Sequence, residues 1–250
     1  MGADRSPARD PRTMARDIPG VLDSLFPQLI PGVVAHFNRR AHAATGCQAV
    51  PQSLIEASDL QRAMLFEIAV AAGEQLVDGR AGIDWVDCLK VAVSRQRQHF
   101  DAKIPQTLSE SDKLAAEAVA MNLAAMLGQI RAEAGGMLLL SPPIRGYQWV
   151  ASGVGDFAVG TSLIEVKCTQ KHFSSSDYRQ VVMYWLLSYA AAVEGGSHEW
   201  TEVILMNPRL NRILKLPFNE IISVAGAGRS KVELLELFSA MIEHREFLAS

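Results

Sequence analysis

Apolar and polar residues follow two different periods along this chain, and the change comes near the middle. From Ile18 to about Phe100 apolar positions recur every three or four residues, as on one side of a helix. Val33, Val34 and Phe37 form one such group. A longer one runs from Leu54 to Val77, where Leu60, Met64, Ile68 and Ala71 share a face and Leu65 and Ala72 lie beside it. Gly79 and Gly82 bracket a turn, and Ile83 to Phe100 forms another helix. Ile104-Pro105 closes this region. Ser109 or Ser111 then caps a helix predicted to run to about Ala134, before Gly135-Gly136, with Leu114, Ala118, Met121, Ala125 and Leu127 as its apolar stripe.

Beyond that point short apolar runs replace the helical period. Met137 to Leu140, bounded by Gly-Gly and Pro-Pro, reads as a strand, and Arg145 to Trp149 leads towards the next. Gly153 to Tyr189 reads as strand, tight turn, strand, loop and helix, with Ser174 to Asp177 at the helix start. Leu186, Leu187 and Ala190 bury one side of that helix. Thr201 to Met206 is a buried strand, Asn207-Pro208 turns the chain, and Arg212 to Leu216 returns. Ser230 begins a terminal amphipathic helix with Val232, Leu235, Phe238 and Ile242. The predicted fold is α/β: a core of helix, three strands, helix, two strands and helix behind a helical N-terminal region.

The central hairpin has a register that can be derived. Gly160-Thr161 suits a two-residue type II′ turn, with Gly at its first central position. That pairs Val159 with Ser162, and therefore Asp156 with Glu165. Directly opposed residues share a face, with Cβ atoms about 4.5–5.5 Å apart. Strand alternation adds Lys167 to the same face. Phe157, Val159, Ile164 and Val166 form the other face, which is wholly apolar. One face is thus expected to be core, and the other to hold two carboxylates and an ammonium. Opposed carboxylates repel, and a hard divalent cation held by two carboxylates and water resolves the conflict. Lys167 can then orient a water or stabilise charge developing on phosphorus. Glu-x-Lys alone is common on surface hairpins. Asp156 in register sets this one apart, as do Gln180 and Tyr184, one turn apart on the following helix.

These residues, GDF, then IEVK, then Q-x-x-x-Y, resemble the PD-(D/E)XK nuclease superfamily, and the Gln/Tyr pair is most similar to its RecB-like branch. The resemblance covers roughly Leu108 to the C-terminus and implies a restriction-endonuclease-like core. It implies that Asp156 and Glu165 bind Mg²⁺ or Mn²⁺, joined by the Val166 carbonyl, and that Lys167 is the catalytic lysine. It implies too that Gln180 and Tyr184 line the site beside the substrate backbone. Many members add a Glu from the first core helix, and Glu117 resembles that residue; an ordinary surface Glu fits equally. The chain then divides into a disordered tail (1–17), a helical region of unassigned role (18–106) and a nuclease-like domain (107–250). The implied substrate is nucleic acid, DNA ahead of RNA. The implied settings include a homodimer, or an effector to which a protein partner delivers substrate in a defence or repair system. The competing reading is a catalytically silent module on the same fold.

Composition adjusts this picture. The chain has 24 Lys and Arg against 27 Asp and Glu, a net charge of −3, whereas a free-standing nucleic-acid binder is usually basic. Bound metal or a partner would have to offset the deficit. The three cysteines, Cys47, Cys88 and Cys168, have no zinc or disulfide spacing and cannot make a four-cysteine iron–sulfur cluster. They suggest a reducing cytoplasm, with Cys168 as an inert thiol facing the core. No signal peptide or run of about 20 apolar residues is expected to engage a membrane. Gly155 to Ser162 spells G-x-x-x-x-G-T-S, but Thr161 stands where a phosphate-binding loop needs Lys. The mildly basic stretch Arg95, Arg97, His99 and Lys103 could face phosphate, and the loop residue His172 could contact it, but a solvated face is the usual explanation for both. The arginines of the first 17 residues, diluted by aspartates, are expected to be solvated as well.

Overall fold

A computed structural model describes residues 10–17, 20–96, 104–196 and 199–249. The first half is helical: α1 (Pro11–Asp17), α2 (Val21–Leu25), α3 (Pro31–Asn38), α4 (Gln52–Glu56), α5 (Arg62–Val77) and α6 (Trp85–Gln96). Then follow α7 (Glu110–Ala134), β1 (Leu138–Leu140), β2 (Pro143–Ile144), β3 (Gly153–Val154), β4 (Phe157–Val159), β5 (Ser162–Val166), α8 (Ser175–Val193), β6 (Glu202–Asn207), β7 (Arg212–Pro217), α9 (Phe218–Ala225) and α10 (Lys231–Ala249).

The result is α/β. One mixed sheet of five strands has the order β1-β4-β5-β6-β7, and β2 and β3 form a separate two-stranded ribbon. All neighbours in the large sheet are antiparallel except β5 and β6, which run parallel because α8 carries the chain between them. The expected hairpin register holds, with Val159 opposite Ser162 and Phe157 opposite Ile164. Gly160 has φ of 58°, and Thr161 has no positive φ, as a type II′ turn requires.

Both faces of the sheet are covered, so Glu165 on the carboxylate face is as buried as the apolar face, while Asp156 and Lys167 at its end stay partly exposed. Phe157, Val159, Ile164, Val166, Ile204, Met206 and Ile213 pack on Leu123, Met126, Leu127 and Ile130 of α7. Ala158, Leu163, Val203, Leu205, Leu214 and Leu216 pack on α8, and α1 to α3 add Met14, Leu25 and Phe37 to that layer. A third cluster joins α5, α6 and the first half of α7. The α5–α7 contact is close at Gly73, where a Cβ would lie 2.8 Å from Leu123 Cδ2.

Several expectations need correction. Residues 10–17, assigned to a disordered tail, include α1, whose Met14 and Ala15 are buried; residues 1–9 lie outside the described residues. The period from Leu54 to Val77 is interrupted between α4 and α5. There Ser58 turns its hydroxyl to Asp112 (2.7 Å) and to the Leu60 amide, which leaves Leu60 ahead of α5. In α7 the capping box of Ser109 with Asp112 and the left-handed Gly135 set the ends as expected. Its buried stripe, however, is Ala115, Ala116, Val119, Ala120, Leu123, Met126, Leu127 and Ile130, while Leu114 and Met121 are exposed. So many alanines ring this helix that several stripes look apolar, and only the neighbouring elements choose among them. Arg95 is not solvated: it pairs with Glu74 at 2.8 Å and with Glu67 at 3.7 Å. Arg97, His99 and Lys103 lie outside the described residues. Among the described residues no helix is long and apolar enough to cross a membrane.

Candidate active site

Asp156 stands one residue before β4, Glu165 lies within β5, and Lys167 follows the end of that strand. The structure brings all three together with Gln180 and Tyr184 of α8. Asp156 Oδ2 accepts from the Val166 amide at 2.7 Å. Glu165 Oε1 accepts from Lys167 Nζ at 2.9 Å and from Gln180 Nε2 at 2.7 Å. Lys167 also donates to Gln180 Oε1 at 2.9 Å and lies 3.6 Å from Asp177. Gln180 Nε2 donates further to the Tyr184 hydroxyl at 3.0 Å. The Gln180 amide thus uses its oxygen on the ammonium and its nitrogen on the carboxylate and phenol.

α8 is held in place by its own first turn. Ser174 and Asp177 form a reciprocal capping box. One Asp177 oxygen caps the helix while the other faces Lys167, which ties the helix start to the site. α8 lies flat on the sheet, so Gln180 and Tyr184 are buried, at 5 % and 1 % exposure. Gln180 bonds Glu165, Lys167 and Tyr184, so both residues of the pair border the carboxylates, from a buried position.

Two further residues escaped the sequence reading. Arg12 of α1 donates through Nη2 to Asp156 Oδ1 and through Nε to the Tyr184 hydroxyl, each at 2.8 Å. Nothing in the charged N-terminal stretch distinguishes it from its neighbouring arginines. Asp177 was legible only as a helix cap. On α5, burial raises the Glu67 and Glu74 carboxyls above their usual range; Arg95 opposes this, and Asp156 adds to it.

Glu117 is half-buried on α7, the helix that covers the opposite face of the sheet. Among the described residues no third His, Cys, Asp or Glu joins Asp156 and Glu165 in a metal-holding group, so Glu117 is not brought into the site. At Val166 it is the backbone amide, and not the carbonyl expected as a ligand, that meets Asp156, while the side chain packs in the layer facing α7.

The electrostatics follow from burial. Glu165 is 1 % exposed, and its Oε2 is buried without a hydrogen-bond partner. Desolvation, with the nearby Asp156 charge, raises its carboxyl well above the usual range. Burial alone would lower Lys167, but Glu165, Asp177 and Asp156 outweigh it and keep the ammonium protonated. Burial raises the Tyr184 phenol, so it stays neutral. Cys168 is half-buried at the α5–α7 cluster, its thiol pushed up by burial to about 12.

The donor set suits a hard divalent cation. Two carboxylates and water are an ordinary Mg²⁺ or Mn²⁺ environment, and the orphaned Glu165 Oε2 is an acceptor that a cation would satisfy. No known family model and no curated protein sequence matches the chain significantly.

Proposed function

We propose that this chain is a metal-dependent nuclease with a restriction-endonuclease-like core, hydrolysing phosphodiester bonds of nucleic acid, DNA in preference to RNA. The observation that carries the reading is the opposed pair of a half-buried Asp156 and a buried Glu165, with one Glu165 oxygen unsatisfied beside a protonated Lys167. Lys167 and Gln180 satisfy Oε1 but leave Oε2 buried and unpaired, which is costly, and a bound cation would supply the partner that Oε2 lacks.

Asp156 and Glu165 would hold Mg²⁺ or Mn²⁺. When bound, such a cation supplies Lewis-acid polarisation of a phosphoryl oxygen and a water of lowered pKa. Lys167, kept as an ammonium by three carboxylates, stabilises negative charge building on the phosphoryl oxygens. It is not a proton acceptor in this state. Gln180 fixes the Lys167 ammonium and the Glu165 carboxylate relative to one another. Tyr184 fixes Gln180.

A cavity of about 280 Å³ beside the loop that follows Lys167 supports a polyanionic substrate. Its lining includes Lys171, His172, Arg212, Gln170 and Asn207 and no carboxylate. It lies past the C-terminal ends of the parallel strands β5 and β6, a common place for ligands in α/β sheets. His172 is exposed, as expected, and also borders this concave surface.

The test is cleavage of supercoiled plasmid, linear duplex and single strands by the purified chain with Mg²⁺, Mn²⁺ or EDTA. Metal-dependent cutting that Asp156→Ala and Lys167→Ala both lack is expected, and full activity in either folded variant would sink the assignment. A second reading, a catalytically silent module that binds nucleic acid or a protein, is favoured by one observation: Arg12 already neutralises Asp156. Absence of both cleavage and divalent-cation binding would select it. Cation binding with cleavage only in the presence of a partner protein would mark a partner-dependent nuclease.

A further inference from the structure

Asp156 has two carboxylate oxygens, and one is committed to the fold. Its Oδ2 accepts from the Val166 amide at 2.7 Å, which fixes the side chain against β5. Oδ1 is the oxygen left to meet a group from outside the hairpin, and Arg12 Nη2 holds it at 2.8 Å. The guanidinium is also drawn by Glu165: burial works against its charge, but the attraction of Asp156, Glu165 and Tyr184 prevails. Arg12 is therefore positioned as counter-cation to the same two carboxylates that the nuclease reading gives to a metal.

The backbone beneath Arg12 is anchored independently of that contact. Asp10 accepts from the Arg12 amide at 3.0 Å and Pro11 stands at the first helical position, a usual N-terminal arrangement. Met14 and Ala15 are buried in the layer with α8. Pro11 packs at the bare Cα of Gly153, where a Cβ would come within 3.0 Å of its Cδ. The Arg12 side chain itself is 39 % exposed. A long side chain on a docked helix can leave the carboxylate for solvent without undocking the helix.

We infer that Arg12 is the resident counter-cation of the site, so that its contact with Asp156 and the binding of a divalent cation exclude each other. This rests on the metal-dependent reading given above. A guanidinium and a divalent ion cannot share Asp156 Oδ1 at close range without strong like-charge repulsion in a partly buried site. A cation must displace Arg12 to bind, and an added polyanion would favour the exchange by offering the freed guanidinium a phosphate.

Calorimetric titration of Mn²⁺ into the full-length chain tests this, comparing wild type, Arg12→Gln, Arg12→Ala, Arg12→Lys and Asp156→Ala. Arg12→Gln and Arg12→Ala are expected to bind about tenfold more tightly, since one charge-assisted hydrogen bond no longer competes. Arg12→Lys retains the competing charge and should stay near wild type. Asp156→Ala should lose binding. Equal affinity in wild type and both neutral variants would overturn the inference while leaving the metal site intact. Weaker binding in the neutral variants would overturn it too, since it would make Arg12 a support of the site. No binding by any variant would sink the metal reading itself. Circular dichroism of each variant checks that the fold is retained, and Arg12→Gln is the informative one should Arg12→Ala unfold.

Discussion

Gln180→Leu isolates what the buried network contributes. Gln180 accepts from Lys167 at 2.9 Å and donates to Glu165 at 2.7 Å and to Tyr184 at 3.0 Å. Two of these bonds involve charged partners, each contributing about 1.5–3 kcal/mol, and the third about 1 kcal/mol. Leucine is of similar size and returns about 1–2 kcal/mol through burial of apolar surface. Lys167 keeps Glu165 and Asp177 as partners, which limits the loss further. The expected net cost is about 3 kcal/mol, or about 6–12 °C in Tm for a chain of this size. The cost should also depend on pH. Burial and Asp156 raise the folded-state pKa of Glu165 above its unfolded value. For an acid shifted in that direction the folded state binds the extra proton, so the stability it contributes is full below the unfolded pKa and is lost as the pH rises through the folded pKa. Removing the Gln180 donor raises that pKa further, and the deficit should grow as the pH rises from below the ordinary carboxyl range towards pH 8. Urea denaturation followed by tryptophan fluorescence across that pH range measures it. A deficit below about 1 kcal/mol, or one that does not change across that range, would refute the network.

Three further outcomes are expected. Gly160→Val should cost about 1–2 kcal/mol, because φ of 58° is left-handed and nothing within 4 Å would clash with the new Cβ; Gly160→Asn should cost much less. Ser109→Ala should cost about 1 kcal/mol in chemical denaturation by opening the capping box of α7. At pH 8 Ellman's reagent should label Cys47 fastest in the native protein, because burial pushes Cys88 to about 11 and Cys168 to about 12. A fast phase that survives in Cys47→Ser would contradict that ordering.

The hairpin was legible because its determinants are local. A two-residue turn with Gly at its first position leaves one register open, and strand alternation assigns each side chain to a face; Asp156, Glu165 and Lys167 came together on those grounds alone. The start of α8 and the ends of α7 were legible for the same reason, since a cap is satisfied within four residues, although Ser109 and Ser111 were both open as the α7 cap and the structure uses Ser109. Gln180 and Tyr184 were legible as a pair because one helical turn separates them.

What surrounds those elements depended on contacts between residues far apart in the chain. No local signal states that α8 lies flat on the carboxylate face, and that contact buries Glu165, shields Gln180 and Tyr184, and shifts the Glu165 carboxyl upwards. The choice of buried stripe on the alanine-rich α7 was equally hidden, because alanine satisfies either a buried or an exposed position. Glu117 sits on a helix of suitable order, yet that helix packs on the other face of the sheet. Arg12 is the extreme case, lying 144 residues from Asp156. Its role arises from docking Met14 beside α8, and a single arginine in a charged stretch has no period or spacing to reveal it. The sequence by itself determined the register and the chemistry of the hairpin; only the tertiary structure decided how deeply that chemistry is buried and which distant cation answers its charge.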